Sequence, residues 1–310
     1  MTWPTLDLVI PSHPSDARHL TRCLQSIQQQ DYPHEQLRVF VVTQGDSEEA
    51  KGYGLLAGQG TFVCFLCTDN VLVERDTLTR LVRAADQEGV TGAYTTRYAY
   101  VPSDRPLSRY FALLGANDPL CWWLGLADRA SYLTRLPGTQ RLDFTGRRLP
   151  SLGDNGCVWR RAVLADLHLD PRRTGSLMCL AVDAQRSGHA VWVAVSEVAV
   201  WHRTGESVWT YLKKRTRYVD RLYFQRHALR RWRMVSTLRD WGSSGLFALS
   251  SLLLVPQMCV SLVGYRRVQD RSWFLHGPLC LALTLIYACL LMKHCMTSVW
   301  LSQPWIGRRS

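Results

Sequence analysis

"TFVCFLCTDN" (61–70) reads as a short apolar strand that runs out into polar residues, leaving one carboxylate, Asp69, and its neighbour Asn70 at the end. Aromatic and β-branched residues favour an extended chain, and the polar close marks where it stops. Two upstream stretches share this form, "LDLVIPSH" (6–13) and "LRVFVVTQGD" (37–46). Between them, "ARHLTRCLQSIQQQ" sets Leu20, Cys23, Leu24 and Ile27 at helical spacing, with Ser15 or Asp16 placed to cap it. After Asp69, "DTLTRLVRAAD" repeats the pattern with Leu78, Leu81, Val82 and Ala85, and "VTGAYTTRYAYV" returns to strand composition. Strands alternating with helices pair in parallel, and ligands gather beyond the carboxyl ends of such strands. The sequence therefore predicts an α/β fold with Pro11, Ser12, His13, Gln44, Asp69 and Asn70 along one edge of its sheet.

Charge and apolarity concentrate in the last third of the chain. The 310 residues carry a formal net charge of +12. Arg203, Lys213, Lys214, Arg215, Arg217, Arg221, Arg226, Arg230, Arg231, Arg233 and Arg239 supply a local excess against Glu206 and Asp220. Such an excess calls for an acidic partner. Two apolar runs follow, "GLFALSSLLLVPQMCVSLVG" (245–264) and "WFLHGPLCLALTLIYACLLM" (273–292), each near the length of a membrane span. Pro256 and Gln257 interrupt the first, which leaves a kinked span, a re-entrant segment and an interfacial helix open. A hairpin of two spans is the reading hydropathy favours. It sets Arg266, Arg267 and Arg271 on one side and the basic stretch with Arg308 and Arg309 on the other, so the positive-inside rule places the N-terminal domain in the cytosol. "SVWTYLKKRTRYVDRLYF" (207–224) alternates apolar and basic residues as a helix lying in an anionic membrane surface does. Neighbouring spans and the absence of a recognition motif argue against nucleic acid as the partner.

The ten cysteines are scattered, and a cytosolic domain keeps them reduced. Cys64 and Cys67 spell CxxC, but a strand turns them to opposite faces, which argues against a zinc or redox pair. "MTWPTLDLVIPSH" lacks the basic start and apolar length of a signal peptide and reads as a first strand. Residues 104–156 lose the regular period and hold two clusters, "GANDPLCWWLGLADR" and "SLGDNG". Asn117 and Asp118 before Pro119 are turn chemistry first. Trp122 and Trp123 are open to three roles: stacking on a ligand's ring, a place at the membrane interface, and core packing.

Taken together, residues 5–225 resemble the family 2 glycosyltransferases of the GT-A fold, particularly membrane-attached members. "LVIPSH" stands where the family has its nucleotide loop, and "FLCTDN" where it has DxD. "LGDNGCVWRR" resembles the acceptor-side segment, with Asn155, Arg160 and Arg161, and "VWH" before "SVWTYLKKRTRY" resembles the late histidine and its basic helix. The resemblance implies a cytosolic domain over residues 1–206, a basic interfacial region over 207–241 with Arg215 and Arg217, and a membrane hairpin with a short tail over 242–310. It implies an inverting transfer from a nucleotide diphosphate sugar, assisted by Mn²⁺ or Mg²⁺ on Asp69 and His202. A metal is the compact way to stabilise the charge that grows on a leaving diphosphate.

The departures from the pattern are informative. Cys67 replaces the first acid of DxD. Thr43 and Gln44 stand where relatives carry acids toward base and ribose. Leu177, Met178 and Cys179 occupy the position of the general base. A hydroxyl acceptor needs such a base, whereas a phosphate acceptor is already ionised. The readings that follow are transfer to a membrane lipid, with polyprenyl phosphate the favoured acceptor; transfer to a hydroxyl with Asp154 as base, Asp183 being the weaker substitute; and a catalytically silent membrane subunit. Assembly with a second copy or a partner subunit stays open.

Overall fold

In the computed structural model, the described residues are 3–165, 167, 170, 176–203 and 207–302, side chains being described as far as Met296. Glu206, Arg308 and Arg309 lie outside them. A seven-stranded sheet forms the centre. Its strands are β1 (Leu6–Pro11), β2 (Leu37–Val42), β3 (Phe62–Phe65), β5 (Gly92–Thr95), β6 (Gln140–Asp143), β7 (Cys157–Arg160) and β8 (Val191–Val195), in the order β2-β1-β3-β7-β5-β8-β6. β2, β1, β3, β5 and β8 run the same way, while β7 and β6 run against them. A separate antiparallel pair joins β4 (Asn70–Leu72) to β9 (Val200–His202).

Strand alternation sends Leu6, Leu8 and Ile10 to one face, where Cys23 and Ile27 of α1 (Ala17–Gln28) and Leu78, Leu81 and Val82 of α3 (Thr77–Ala85) cover them. Val9, Val63 and Trp159 face the other layer, made by α2 (Ser47–Ala57), α6 (Arg161–Ala165) and α7 (Leu177–Arg186). The α/β expectation holds, and the helical spacings at Cys23–Ile27 and Leu78–Ala85 mark the buried faces.

The irregular middle section supplies α4 (Pro106–Leu114) and the short α5 (Pro119–Trp123), capped by Asp118, whose carboxylate accepts from Leu120 N at 2.8 Å. α8 (Val208–Val219) then packs with α4 and the long α11 (His276–Ser302) around Tyr110, Phe111, Tyr211 and Leu283. Where hydropathy predicts one run over 245–264, two helices meet at 86°, α9 (Leu238–Leu253) and α10 (Val255–Arg267). Pro256 is the cause: its ring would collide with the carbonyl of Leu252, and it disfavours the helical conformation at the residue before it. The chain turns through Leu254, at φ +59°. Among the described residues one segment, Arg271–Met296, is long and apolar enough to cross a membrane, or two if the bent pair is counted as one.

Candidate active site

The β4–β9 pair builds the site. Its register sets Asn70 opposite His202, so that Asp69 and the histidine emerge side by side, with Asp69 Oδ2 3.5 Å from His202 Nε2. Arg203 N donates to the Asp69 carbonyl at 2.9 Å and closes the ladder. Burial works to raise the Asp69 carboxyl, but the adjacent imidazole outweighs it, with Lys214 helping from further away, and the pKa falls to about 2. The acid is an anion at any ordinary pH. Asn70 Nδ2 donates to Asp69 Oδ1 at 3.0 Å, and the Asn117 amide lies 3.2 Å from His202 Nδ1. Both side chains are therefore held from behind.

A second carboxylate arrives from the loop before β7. Gly156 N donates to Phe65 O at 2.8 Å, which brings Asp154 and Asn155 beside Cys67. Gly156 has φ +81°, and a Cβ there would lie 2.8 Å from Val200, so this turn requires glycine. Asp154 is not left free. Lys51 of α2, 2% exposed, reaches its Oδ2 at 2.5 Å and Glu48 at 3.0 Å. Burial alone would lower the ammonium, yet the two carboxylates raise it well above its ordinary value. The same pairing overrides burial at Asp154 and holds its carboxyl low. An acid so held is a poor proton acceptor. The Cys67 thiol, 3.5 Å from Asp154 Oδ1, is pushed well up by burial and by that carboxylate. In the free protein the thiol stays protonated.

Tyr98, Asp128 and Arg129 brace this loop. The Tyr98 ring lies 5.3 Å from that of His202, and its hydroxyl donates to Asp128 at 2.6 Å and accepts from Asn155 Nδ2 at 3.1 Å. Arg129, buried and paired with Asp128 at 3.2 Å, donates to Asn155 O at 2.8 Å. Asn155 is one of two non-glycine residues at positive φ among those described, and the arginine fixes it there.

The structure brings Pro11, Ser12, His13, Gln44, Asp69 and Asn70 to the carboxyl edge of the parallel strands, as the sequence predicts, and Asp154, Asn155 and His202 join them there. His13 caps the turn after β1, accepting from Ser15 N at 3.3 Å, and Gln44 is exposed. Other candidates go elsewhere. β7 runs antiparallel, so Arg160 and Arg161 at its close reach the opposite edge. There Arg160 donates to the carbonyls of Ala85, Gln87 and Val90, and Arg161 binds Asp7 at 2.7 Å. Trp122 packs edge-on against His276, and Trp123 meets Phe247 edge-on and donates to Ser243 at 3.2 Å, so both rings are partly buried against the C-terminal helices. Arg215 is bonded to Asp118 and to Tyr287, while Arg217 is exposed on α8. Asp183 pairs with Arg231 at 2.7 Å.

Sequence reading missed Lys51, Tyr98, Arg129 and Arg230. The last is 3% exposed, with its guanidinium 3.9 Å over Tyr223 and its Nε donating to Trp232 O at 3.3 Å. No local signal marks it within a run of arginines. Lys51 had one: a lysine inside the apolar face of a helix, three residues after Glu48.

No protein-family model and no curated protein matches the sequence. Solved structures do match. The mannosyltransferase PcManGT from Pyrobaculum calidifontis, solved with GDP-Man and Mn²⁺, aligns over 92% of this chain and 87% of its own, at 14% identity and a TM-score of 0.51. TarS residues 1–349 from S. aureus, solved with UDP-GlcNAc, aligns over 89% of this chain and 90% of that one, at 12% identity and a TM-score of 0.43. The first likeness shows a shared fold, a mixed α/β sheet with the C-terminal portion included in the alignment. The second is too loose to carry an argument.

Proposed function

We propose that the protein is a glycosyltransferase that moves a sugar from a nucleotide diphosphate donor to a phosphate-bearing lipid at a membrane surface. The observation that carries this reading is the ionised Asp69 beside His202 at the carboxyl edge of the parallel strands. Donors on an octahedral Mg²⁺ lie about 2.1 Å from it, so neighbouring ones are about 3 Å apart. The 3.5 Å between Oδ2 and Nε2 suits such a pair. Among the described residues no group of three or more His, Cys, Asp or Glu could hold a metal. A two-ligand site serves where the donor's phosphates complete the shell. When bound, the ion would offset the charge that grows on the departing diphosphate.

This chain's own residues do the rest. Ser12, His13 and Gln44 line the entry for the nucleotide, and the Lys51–Asp154 pair fixes the floor beneath it. With Asp154 and Asp183 both held by cations, a phosphate acceptor, which needs no deprotonation, fits better than a hydroxyl. Lys214, exposed on α8 and close enough for its charge to act on Asp69, takes over the acceptor-side role that the sequence suggested for Arg160 and Arg161. The test is sugar transfer by purified protein from labelled GDP and UDP sugars to polyprenyl phosphate with Mn²⁺. Asp69→Ala should lower the rate on the order of 100-fold or more. An unchanged rate would remove the metal role, and nucleotide binding without transfer to any acceptor would favour the silent-subunit reading.

A further inference from the structure

The helices after residue 237 present more apolar surface than a layer in water requires. Leu252, Leu253 and Val255 at the α9–α10 bend are 56%, 61% and 69% exposed. On α11, Leu285, Met292 and Met296 form an outward stripe at helical spacing, each more than half exposed. Surface of this kind marks contact with a membrane or with another protein. How far the chain enters is decided by what holds these helices to the α/β body.

α9 and α10, with 16 and 13 residues, are about 24 and 20 Å long, and neither crosses a hydrocarbon core of about 30 Å. After the bend the chain comes back. Asp270, which follows α10, accepts from the Tyr100 hydroxyl at 2.5 Å and pairs with Arg109 of α4 at 3.0 Å. Trp273 is buried against Gly264, where a Cβ would lie 2.2 Å from the indole. The α10–α11 loop is thus docked on the body that holds the active site.

α11 is fastened to the same body along its length. His276 bonds Tyr110 of α4 at 2.7 Å, and Tyr287 bonds Asp118 at 2.6 Å. Lys293 and His294 reach Asp220, just past α8, at 3.1 and 2.6 Å. These contacts lay α11 alongside α8, whose Lys213, Lys214 and Arg217 are exposed. A crossing α11 would draw those charges and the Asp118–Arg215 pair into hydrocarbon.

We propose that the chain is monotopic. α9, α10 and α11 rest in one leaflet, with the bend as the deepest point, and the described residues from Trp3 to Ser302 stay on one side, in place of the two-span hairpin that hydropathy predicts. The occupant of the apolar face is an anionic leaflet rather than a second copy. Exposed Arg266, Arg267 and Arg271 flank the face, which attracts lipid phosphates and repels a like-charged copy.

The inference rests on the membrane part of the proposed function, and one experiment separates the two. Single reporters, Gln269→Cys in the α10–α11 loop and Glu88→Cys in the α/β body, are placed in a chain with Cys259, Cys289 and Cys295 changed to Ser. Both are exposed positions away from the active site. Each full-length protein is inserted into vesicles of phosphatidylglycerol and phosphatidylcholine, and a membrane-impermeant maleimide is added from one side, then the other. Labelling of both reporters from the same side only is the expected result. Labelling from opposite sides overturns the monotopic arrangement while leaving membrane attachment standing. Failure of the otherwise unsubstituted protein to float with the vesicles overturns both.

Discussion

Lys51 shows how much of this site depends on one buried side chain. Its ammonium serves Asp154 and Glu48 together, and removing it leaves two carboxylates with little solvent and no counter-charge. Breaking a buried pair from one side costs about 3 kcal/mol. Lys51→Met should therefore destabilise the protein by about that amount in denaturant unfolding, and the Lys51→Met/Asp154→Asn double variant should recover at least about 1 kcal/mol. A double variant no better than the single would show that the ammonium acts through packing and not through charge. The contrast with Asp69 is instructive. "FLCTDN" displays its acid openly at a strand end, so its place was legible, whereas its partner His202 lies 133 positions away and only the β4–β9 register joins them. The constraint on Asp154 was hidden for the same reason: a lysine on a helix of another layer imposes it.

At the scale of the element, strands and helices of the α/β body followed from local pattern, because burial on a sheet face enforces the period that the sequence displays. The misplacement of Arg160 and Arg161 came from strand direction. An antiparallel β7 inserted between β3 and β5 exchanges the two edges, and no residue within "CVWRR" records it. The start of α9 is another element fixed by polar detail. Thr237 and Asp240 cap it reciprocally, and Arg148 ties Asp240 to the loop before β7 at 2.5 Å. Burial would raise the Asp240 carboxyl, but the Ser236 and Thr237 amides, the Thr237 hydroxyl and Arg148 together hold it at about 2. A carboxyl depressed in the folded state stabilises above its unfolded value of about 3.9, and the benefit disappears as pH falls through 2. Asp240→Asn should thus cost about 1 kcal/mol at neutral pH and progressively less below pH 4, converging with the parent near pH 2. A pH-independent difference would assign the effect to shape alone.

For the whole molecule, hydropathy located the apolar segments correctly but did not fix their path. Length and composition are the same for a span, a re-entrant pair and a helix lying in a leaflet. Pro256, visible in the sequence, marks the bend, but the docking of Asp270 and the fastening of α11 along α8 that set the rest of the path are tertiary facts. They place the Asp69–His202 edge, the basic helix and the apolar face in one continuous body, and under the proposed function a donor from water and an acceptor from lipid would meet at that edge. Everything in that account turns on Asp69 and His202 acting as a phosphate-and-metal site. The direct measurement is calorimetric binding of GDP and UDP to the full chain with and without Mn²⁺, in parent and Asp69→Asn proteins. The account predicts binding of one nucleotide that strengthens with Mn²⁺ in the parent and loses that dependence in the variant. Equal binding with and without the metal in the parent would contradict it.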